Sequence, residues 1–225
     1  MAATLDCLSN GRLEFRVGAG APRKWAESWW SPYGITYPTT KNRVAMLREG
    51  LTLLKALWTK EAVTFDGKYF KLRNVRCMPK PRQKPHPRIT IAAMGRSTMD
   101  IAANYANVWE ASYLSPEAYS DKLSSFINRH NRAKTRNMQK SLEVDVVVGK
   151  TTQEAKKELR KFLVARKITM KHPLLKSVVY GTPEDCVRKL KRYVELGIDS
   201  FTLAFSDPAS AKILRLFAEH VIAKL

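Results

Sequence analysis

The residues best suited to binding a ligand lie where a predicted strand passes into a predicted helix. The apolar run from Arg88 to Met94 is typical of a buried strand that Gly95 ends, and Ser97 with Asp100 is typical of a helix start. Free backbone amides at a helix start suit a phosphate group, and Arg96 adds a positive charge there. An ordinary strand-to-helix turn fits the same residues. The candidate phosphate site is therefore one of two interpretations, and its residues are Ala93, Met94, Gly95, Arg96 and Ser97.

A second candidate site follows the first alternating strand of the sequence. Residues 12–18 alternate between polar and apolar side chains and end in Gly18-Ala19-Gly20, small residues that would let a flat ring approach the backbone. A simple turn after a strand would use the same glycines. An aromatic cluster comes next, and it would either pack as a core or lid or line a pocket: Trp25, Trp29, Trp30, Tyr33 and Tyr37.

Two kinds of chemistry find no candidate in the sequence. The four histidines (His86, His130, His172 and His220) have no metal-ligand spacing, so no metal site is predicted. No nucleophile motif is present and none of the three cysteines is near a histidine in sequence, so covalent catalysis has no candidate either. No catalytic residue is assigned.

The elements that must position these residues alternate between strand and helix. Five strands are predicted, and their carboxyl ends are Gly18-Ala19-Gly20, Met94-Gly95-Arg96, Ala111-Ser112, Gly149-Lys150 and Ser206-Asp207. Alternation of this kind implies a parallel sheet whose carboxyl edge carries the ligand. Asp66-Gly67, between two apolar and aromatic runs, predicts a hairpin with a two-residue turn and positive φ at both positions. Residues 22–38 are predicted to be irregular.

Composition sets limits on the class of protein. The chain has 225 residues, with 40 Lys and Arg against 20 Asp and Glu, a formal net charge of +20. Solvated surface charge is one interpretation of this balance, and attraction of an anionic ligand or nucleic acid is the other. No zinc-finger, RNA-recognition or basic heptad pattern supports nucleic acid specifically. No signal peptide, no membrane-spanning run and an odd number of cysteines together predict a cytoplasmic protein that does not cross a membrane.

At several points in order along the chain, the sequence resembles a known family. Residues 4–13 (TLDCLSNGRL) followed by 16–20 (RVGAG) are similar to the TLDxLSxGR…GVGxG signature of the luciferase-like flavin- and deazaflavin-dependent oxidoreductases. Further similar stretches are 33–38 (YGITYP), 65–70 (FDGKYF), 79–87 (PKPRQKPHP), 91–95 (IAAMG), 102–109 (AANYANVW), 181–184 (GTPE) and 197–199 (GID). Each motif alone is weak, but the ordered set is specific and covers nearly the whole chain.

The resemblance implies a fold, a cofactor and a class of reaction. The fold would be α/β, a partial TIM-type (β/α) barrel with about five parallel strands in a single domain over 1–225, with a hairpin-containing insertion at about 22–87. The cofactor would be FMN or the deazaflavin coenzyme F-420, used for hydride transfer to or from a small organic substrate or for its monooxygenation. Gly18, Ala19 and Gly20 would lie beside the ring, and Ala93 to Ser97 would hold the phosphate. The alternatives are a non-catalytic scaffold or subunit derived from the family and, less favoured, a basic protein associated with nucleic acid.

The signature normally stands about a third of the way into family members, so the first three β/α units of the barrel are expected to be absent. Five parallel strands cannot close as eight do, because strand number, tilt and stagger are linked. Open strand edges recruit partners, so a homo-oligomer or a complex with a partner subunit is expected. Ala21 stands where an aromatic residue is frequent, and the segment from Glu27 to Gly34 is longer than usual; both leave the substrate open.

Overall fold

The computed structural model describes residues 1–130, 133–206 and 210–225. By internal packing the chain divides into two compact units, unit 1 over Met1–Trp109 and unit 2 over Glu110–Leu225. Both units alternate strands with helices, as the sequence predicts. Strand β5 (Val108–Ser112) runs across the boundary between them.

Unit 1 contains a pair of parallel strands, β1 (Glu14–Gly18) and β4 (Arg88–Ala92), which are aligned so that Gly18 lies opposite Ala92. Its other elements are α1 (Ala2–Leu8), α2 (Arg23–Trp30), α3 (Thr40–Thr59), β2 (Val63–Asp66), β3 (Lys71–Val75) and α4 (Arg96–Tyr105). Ile89 and Ile91 of β4 are fully buried, as expected for a parallel strand whose faces are covered by other parts of the protein. The predicted strand over Arg88–Met94 is therefore present, and its last two predicted residues form the turn that leads into α4.

The formation of helix α3 is explained by the spacing of its apolar residues and by the residue that caps its start. The sequence predicts Thr39 or Thr40 as its cap, and the structure has Thr39 there, with its hydroxyl accepting a hydrogen bond from the amide of Asn42. Leu47 and Leu51 recur one turn apart and are buried, so this face of the helix contributes to the core of unit 1.

The predicted hairpin exists, but its predicted turn is wrong. β2 and β3 pair in antiparallel fashion up to Asp66 and Lys71, so four residues rather than two connect them, and neither Asp66 nor Gly67 has a positive φ. The carboxylate of Glu49, on α3, accepts hydrogen bonds from the amides of Lys68 (3.1 Å), Tyr69 (2.8 Å) and Phe70 (2.7 Å). Three amides turned toward one carboxylate need the wider loop, and a contact this distant in sequence cannot be recognised from the dipeptide alone.

Two further local predictions for unit 1 are wrong. Residues 23–30 form helix α2, and residues 31–33 a 3-10 turn, within the stretch predicted to be irregular. Helix α4 begins at Arg96, so Ser97 lies inside its first turn and is not its cap. Gly95 occupies the cap position, and Thr98 bonds to its backbone instead.

Unit 2 is built around β6 (Gln139–Val148), a long strand that pairs in parallel with β7 (Val179–Gly181) and with β8 (Ser200–Phe205). Its helices are α5 (Pro116–His130), α6 (Ala133–Arg136), α7 (Thr152–Arg166), α8 (Pro183–Glu195) and α9 (Ala211–His220). The sequence predicts a capping box at Thr182 and Asp185, and in the structure these residues cap α8; Gly197 follows its end with φ +83°. The short strand β7 was not predicted. The sequence also predicts a helix start at Asp207-Pro208, which lies outside the described residues.

Candidate functional site

The two predicted ligand-binding segments lie side by side in unit 1. Because β1 and β4 are parallel with Gly18 opposite Ala92, the residues that leave both strands emerge at the same edge. Gly18-Ala19-Gly20 therefore lies next to Ala93-Met94-Gly95. All eight predicted site residues belong to these two strand ends and the first turn of α4 that follows.

The first turn of α4 has amides available for a ligand. Within the described part of the chain, the amides of Arg96, Ser97 and Thr98 donate to no protein acceptor. Gly95, Arg96 and Ser97 are exposed, so a ligand can reach these amides from solvent. A Cβ built on Gly95 would meet only the Thr98 hydroxyl, at 3.7 Å, so the space over this turn is open. A helix of this length with open amides and an adjacent guanidinium fits an anionic phosphate.

A cationic side chain supports the Gly18-Ala19-Gly20 turn through hydrogen bonds to backbone carbonyls. Arg43, on α3, is 8% exposed and donates to the carbonyls of Ala19 (2.8 Å), Pro38 (2.6 Å) and Ala21 (3.2 Å). Its guanidinium lies 4.3 Å from the ring centroid of Tyr37, whose hydroxyl also donates to the Ala21 carbonyl (2.9 Å). The turn is thus fixed by partners that come from about twenty residues further along the chain.

Gly20 is required by this packing. Its φ is +82°, a conformation that side chains rarely adopt, and a Cβ at this position would fall on the Tyr37 hydroxyl. The glycines therefore have a structural role in the turn in addition to the open face that Gly18 and Gly20 leave toward solvent.

The end of β4 is anchored by a buried aromatic side chain. The indole nitrogen of Trp109 donates to the carbonyl of Ala93 at 2.8 Å, and both residues are buried. This bond anchors Ala93, the residue that directly follows β4. Trp109 stands in the motif at 102–109, but its partner is not evident from the sequence.

A cavity of about 840 Å³ lies beside the Gly18-Ala19-Gly20 turn, within unit 1. Its lining is almost entirely apolar and comes from β1, α2, α3 and the segment between the helices. Of the predicted aromatic cluster, Trp29, Trp30 and Tyr37 line this cavity, which agrees with the pocket interpretation, whereas Tyr33 is 79% exposed. The side chain of Trp25 lies outside the described residues.

Sequence reasoning missed the residues that support the site. The sequence indicates neither the bonds of Arg43 and the stacking of Tyr37 on it nor the bonds of Thr98 and Trp109. Each of these side chains acts on a backbone group of a neighbouring element, so no local pattern marks it. The nearest signal is a lone arginine in an otherwise apolar helix face.

Unit 2 contains its own buried polar groups on β5 and β6. Glu110 is 2% exposed and accepts hydrogen bonds from Ser141 (3.2 Å) and Thr202 (3.1 Å). Burial raises the pKa of the Asp145 carboxyl, even though Arg166 forms an ion pair with it. In the described residues, no three His, Cys, Asp or Glu side chains are grouped as a metal ion would need. Over the same residues no helix combines the length and apolar character that crossing a bilayer requires.

Comparison with known proteins places the chain in a family. The family model described as luciferase-like monooxygenase matches residues 1–176. The chain belongs to the luciferase-like monooxygenase family. The fold class predicted from the sequence, α/β with parallel strands of a partial TIM-type (β/α) barrel, is confirmed.

Individual relatives agree with this assignment. The chain is 25% identical over 249 residues to an F420-dependent glucose-6-phosphate dehydrogenase of Microbacterium testaceum, in a match that covers 99% of the chain and 71% of the relative. A monooxygenase from Streptomyces bottropensis superposes with a TM-score of 0.79 at 21% identity, covering 98% of this chain and 71% of that one. A riboflavin lyase in complex with modified FMN gives a TM-score of 0.75 at 16% identity, covering 99% of this chain and 65% of that one. The predicted family is confirmed. The predicted choice between F-420 and FMN agrees with these relatives, since the dehydrogenase is F420-dependent and the riboflavin lyase structure contains modified FMN.

Proposed function

We propose that this chain is an oxidoreductase that holds the phosphate of coenzyme F-420 or FMN at the first turn of α4 and the cofactor ring beside Gly18-Ala19-Gly20. The observation that carries the proposal is the set of amides at Arg96, Ser97 and Thr98, which donate to no acceptor among the described residues and lie one strand away from a turn whose Gly18 and Gly20 are exposed. The bound cofactor would supply hydride transfer or oxygenation of a small organic substrate.

The protein's own residues would bind and orient the cofactor. The amides of α4 and the guanidinium of Arg96 would neutralise the phosphate, and the exposed backbone of Gly18 and Gly20 would let a flat ring lie close. Arg43 would keep the glycine turn in place through its three carbonyl bonds. The net charge of +20 favours the more anionic deazaflavin, which carries a polyglutamate tail.

Three further properties belong to the same proposal. The chain acts in the cytoplasm as a single luciferase-like domain, consistent with its three free cysteines. It works as a homo-oligomer or with a partner subunit, because β1 has a strand neighbour on one side only among the described residues and such an edge favours association. The substrate is a small organic molecule of unassigned class.

The test compares two flavins that differ only in the phosphate. The wild type and the Gly95→Val and Arg96→Glu variants are titrated with FMN and with riboflavin by fluorescence quenching, and the wild type also with F-420. Each substitution should weaken FMN by about tenfold to a hundredfold, the range of one charge-assisted hydrogen bond, and leave riboflavin unchanged. Gly95→Val should keep the melting temperature, because the protein leaves room for a Cβ there.

The matched control is Arg73→Glu, the same charge reversal at an exposed position of β3 in unit 1. It separates a local contact from the general field of a basic protein. Equal losses in Arg73→Glu and Arg96→Glu, or unchanged FMN affinity in both site variants, would refute the phosphate assignment.

A further inference from the structure

Helix α7 of unit 2 carries a strongly positive outer face. Its inward side chains Ala155, Leu159 and Phe162 are buried, so packing fixes which side of the helix meets solvent. The solvent side includes four exposed cations in less than two turns, which we call the α7 cationic face: Lys156, Lys157, Arg160 and Lys161. The core of the unit therefore holds four positive charges close together in water.

Acidic side chains leave most of this charge uncompensated. Glu158 pairs with Lys161 at 2.8 Å, and the carboxylate of Glu154 accepts a hydrogen bond from the backbone amide of Lys150. In the part of the chain that the structure describes, the other three cations of the face form no ion pair. The sequence from Leu159 to Pro183 contains no acidic residue, so the segment after α7 adds no compensating charge.

The spacing of the cations is unfavourable for the helix itself. Lys156 lies four residues before Arg160, and Lys157 lies four residues before Lys161. Residues four apart are neighbours on a helix surface, where opposite charges stabilise the helix and like charges destabilise it. Both pairs are like-charged, so this pattern opposes the stability of α7 unless an anion lies over it.

Helix α8 of the same unit pairs its cations with acids. Arg188 pairs with Asp185 at 2.8 Å, and Arg192 pairs with Glu117 of α5. A general excess of positive charge would affect both helices alike. The concentration of uncompensated cations on α7 therefore indicates a local cause, and an anionic ligand of this face supplies one.

The kind of side chain indicates which anion fits. Three of the four cations are lysines, which are depleted at protein–protein interfaces but neutralise phosphates in nucleic-acid complexes. Phe162 is the only aromatic residue of α7 and is buried, so the helix offers no ring for stacking on the bases of a single strand. A duplex, whose bases are already stacked, needs no such ring.

A lipid surface fits this helix less well. Amphipathic helices bind membranes by burying their apolar face among the lipids, but the apolar face of α7 is buried in unit 2. Val164 is the one large apolar side chain that the helix exposes. The cationic face therefore offers charge to a partner and almost no apolar area.

We propose that the α7 cationic face binds the phosphate backbone of double-stranded nucleic acid, independently of base sequence. Residues four apart rise by about 6 Å along a helix, so the face presents two neighbouring rows of cations to a phosphate backbone. Binding of this kind reads no bases, so it needs none of the recognition patterns that the sequence lacks. It is a binding function separate from the proposed cofactor site, which belongs to unit 1.

The experiment measures binding of the full chain to labelled DNA by fluorescence anisotropy. The probes are duplexes of two unrelated sequences, each about two helical turns long, and one of their single strands. The wild type should bind both duplexes equally well and more tightly than the single strand. The logarithm of its affinity should fall with the logarithm of salt concentration with a slope of about −3, because each neutralised phosphate contributes about −0.9.

A double variant and a matched control locate the contact. Lys156→Gln combined with Lys157→Gln removes two charges from the face. Lys191→Gln combined with Lys212→Gln removes the same net charge from exposed positions of α8 and α9 in the same unit. At about 0.1 M salt the face variant should bind at least about tenfold more weakly, with a slope less steep by about 1.8. The control should retain the wild-type slope, and both variants should retain the wild-type melting temperature because all four positions are exposed.

Several results would overturn the proposal. They are the absence of duplex binding by the wild type at low salt, equal losses of affinity in the face variant and the control, and tighter binding to the single strand than to the duplexes. Competition tests the other anions. Poly-L-glutamate or phosphatidylserine vesicles that displace the labelled duplex at a lower charge concentration than unlabelled duplex would identify an acidic polypeptide or a lipid surface as the occupant, and either finding would refute nucleic acid.

Discussion

Arg43 offers the most direct test of how the glycine turn is built. Replacing Arg43 with Met keeps the aliphatic length of the side chain but removes every donor. The three carbonyls of Ala19, Ala21 and Pro38 then lose a charged partner. A hydrogen bond to a charged group contributes about 1.5–3 kcal/mol, and such bonds are not additive when they share one side chain.

The geometry of the three bonds narrows the loss of unfolding free energy expected for Arg43→Met. Two of the three bonds are short, at 2.6 and 2.8 Å, while the third is longer at 3.2 Å. Gly20 beside them is exposed, so water can reach part of the turn once the guanidinium is gone. We therefore expect Arg43→Met to lower the free energy of unfolding by about 2–4 kcal/mol. Tyr37→Phe removes only the hydrogen bond from the Tyr37 hydroxyl to the Ala21 carbonyl, so it should lower the free energy of unfolding by about 1 kcal/mol.

The functional consequence differs from that of the phosphate variants. In the proposed arrangement the ring that FMN and riboflavin share lies beside this turn, so Arg43→Met should reduce affinity for both by a similar factor. Arg96→Glu should reduce affinity for FMN alone. Urea denaturation gives the stability change and flavin titration gives the affinities. A loss of stability below about 1 kcal/mol with unchanged binding of both flavins would show that Arg43 does not support the site.

Three other expectations follow from individual contacts. Gly67→Val should destabilise the hairpin and leave FMN affinity intact, because a Cβ there would strike the Glu49 carboxylate; exchange rates over residues 63–75 report this, and native rates would contradict it. Trp109→Phe should lower unfolding free energy by about 1–3 kcal/mol by leaving the buried Ala93 carbonyl without its donor, measurable by urea denaturation; an unchanged midpoint would mean that water replaces the indole. Burial lowers the pKa of Lys189 to about 8, so the unfolded chain binds more protons above that pH and stability should rise between pH 8 and 10. Lys189→Met should flatten this rise in denaturation measured at the two pH values, and an identical slope in variant and wild type would exclude Lys189 as its source.

Local chemistry in the sequence was sufficient for elements whose ends are fixed by their own residues. Thr182 with Asp185 starts α8 and Gly197 follows its end because a cap needs only side chains three or four residues apart. The sequence predicts a strand over Ser200–Phe205, and the structure has that strand with the same bounds, since a largely apolar run between polar residues defines it. The two candidate ligand-binding segments follow from the same kind of pattern, because each is a strand end followed by small residues.

Tertiary structure decided whatever depends on residues far apart in the chain. The loop at Gly67 widens because Glu49 draws three of its amides together, whereas Asp-Gly by itself favours the tighter turn. Helix α4 starts one residue before Ser97 because Thr98 bonds to the backbone of Gly95. Only the parallel register of β1 with β4 brings Gly18-Ala19-Gly20 beside Ala93-Met94-Gly95, and only packing brings Arg43 behind that turn. The sequence by itself thus determined the alternation of strands and helices and the candidate segments, because short-range patterns encode both. Only the tertiary structure decided how these segments lie together and what supports them, because hydrogen bonds between distant residues do this and no short-range pattern encodes them.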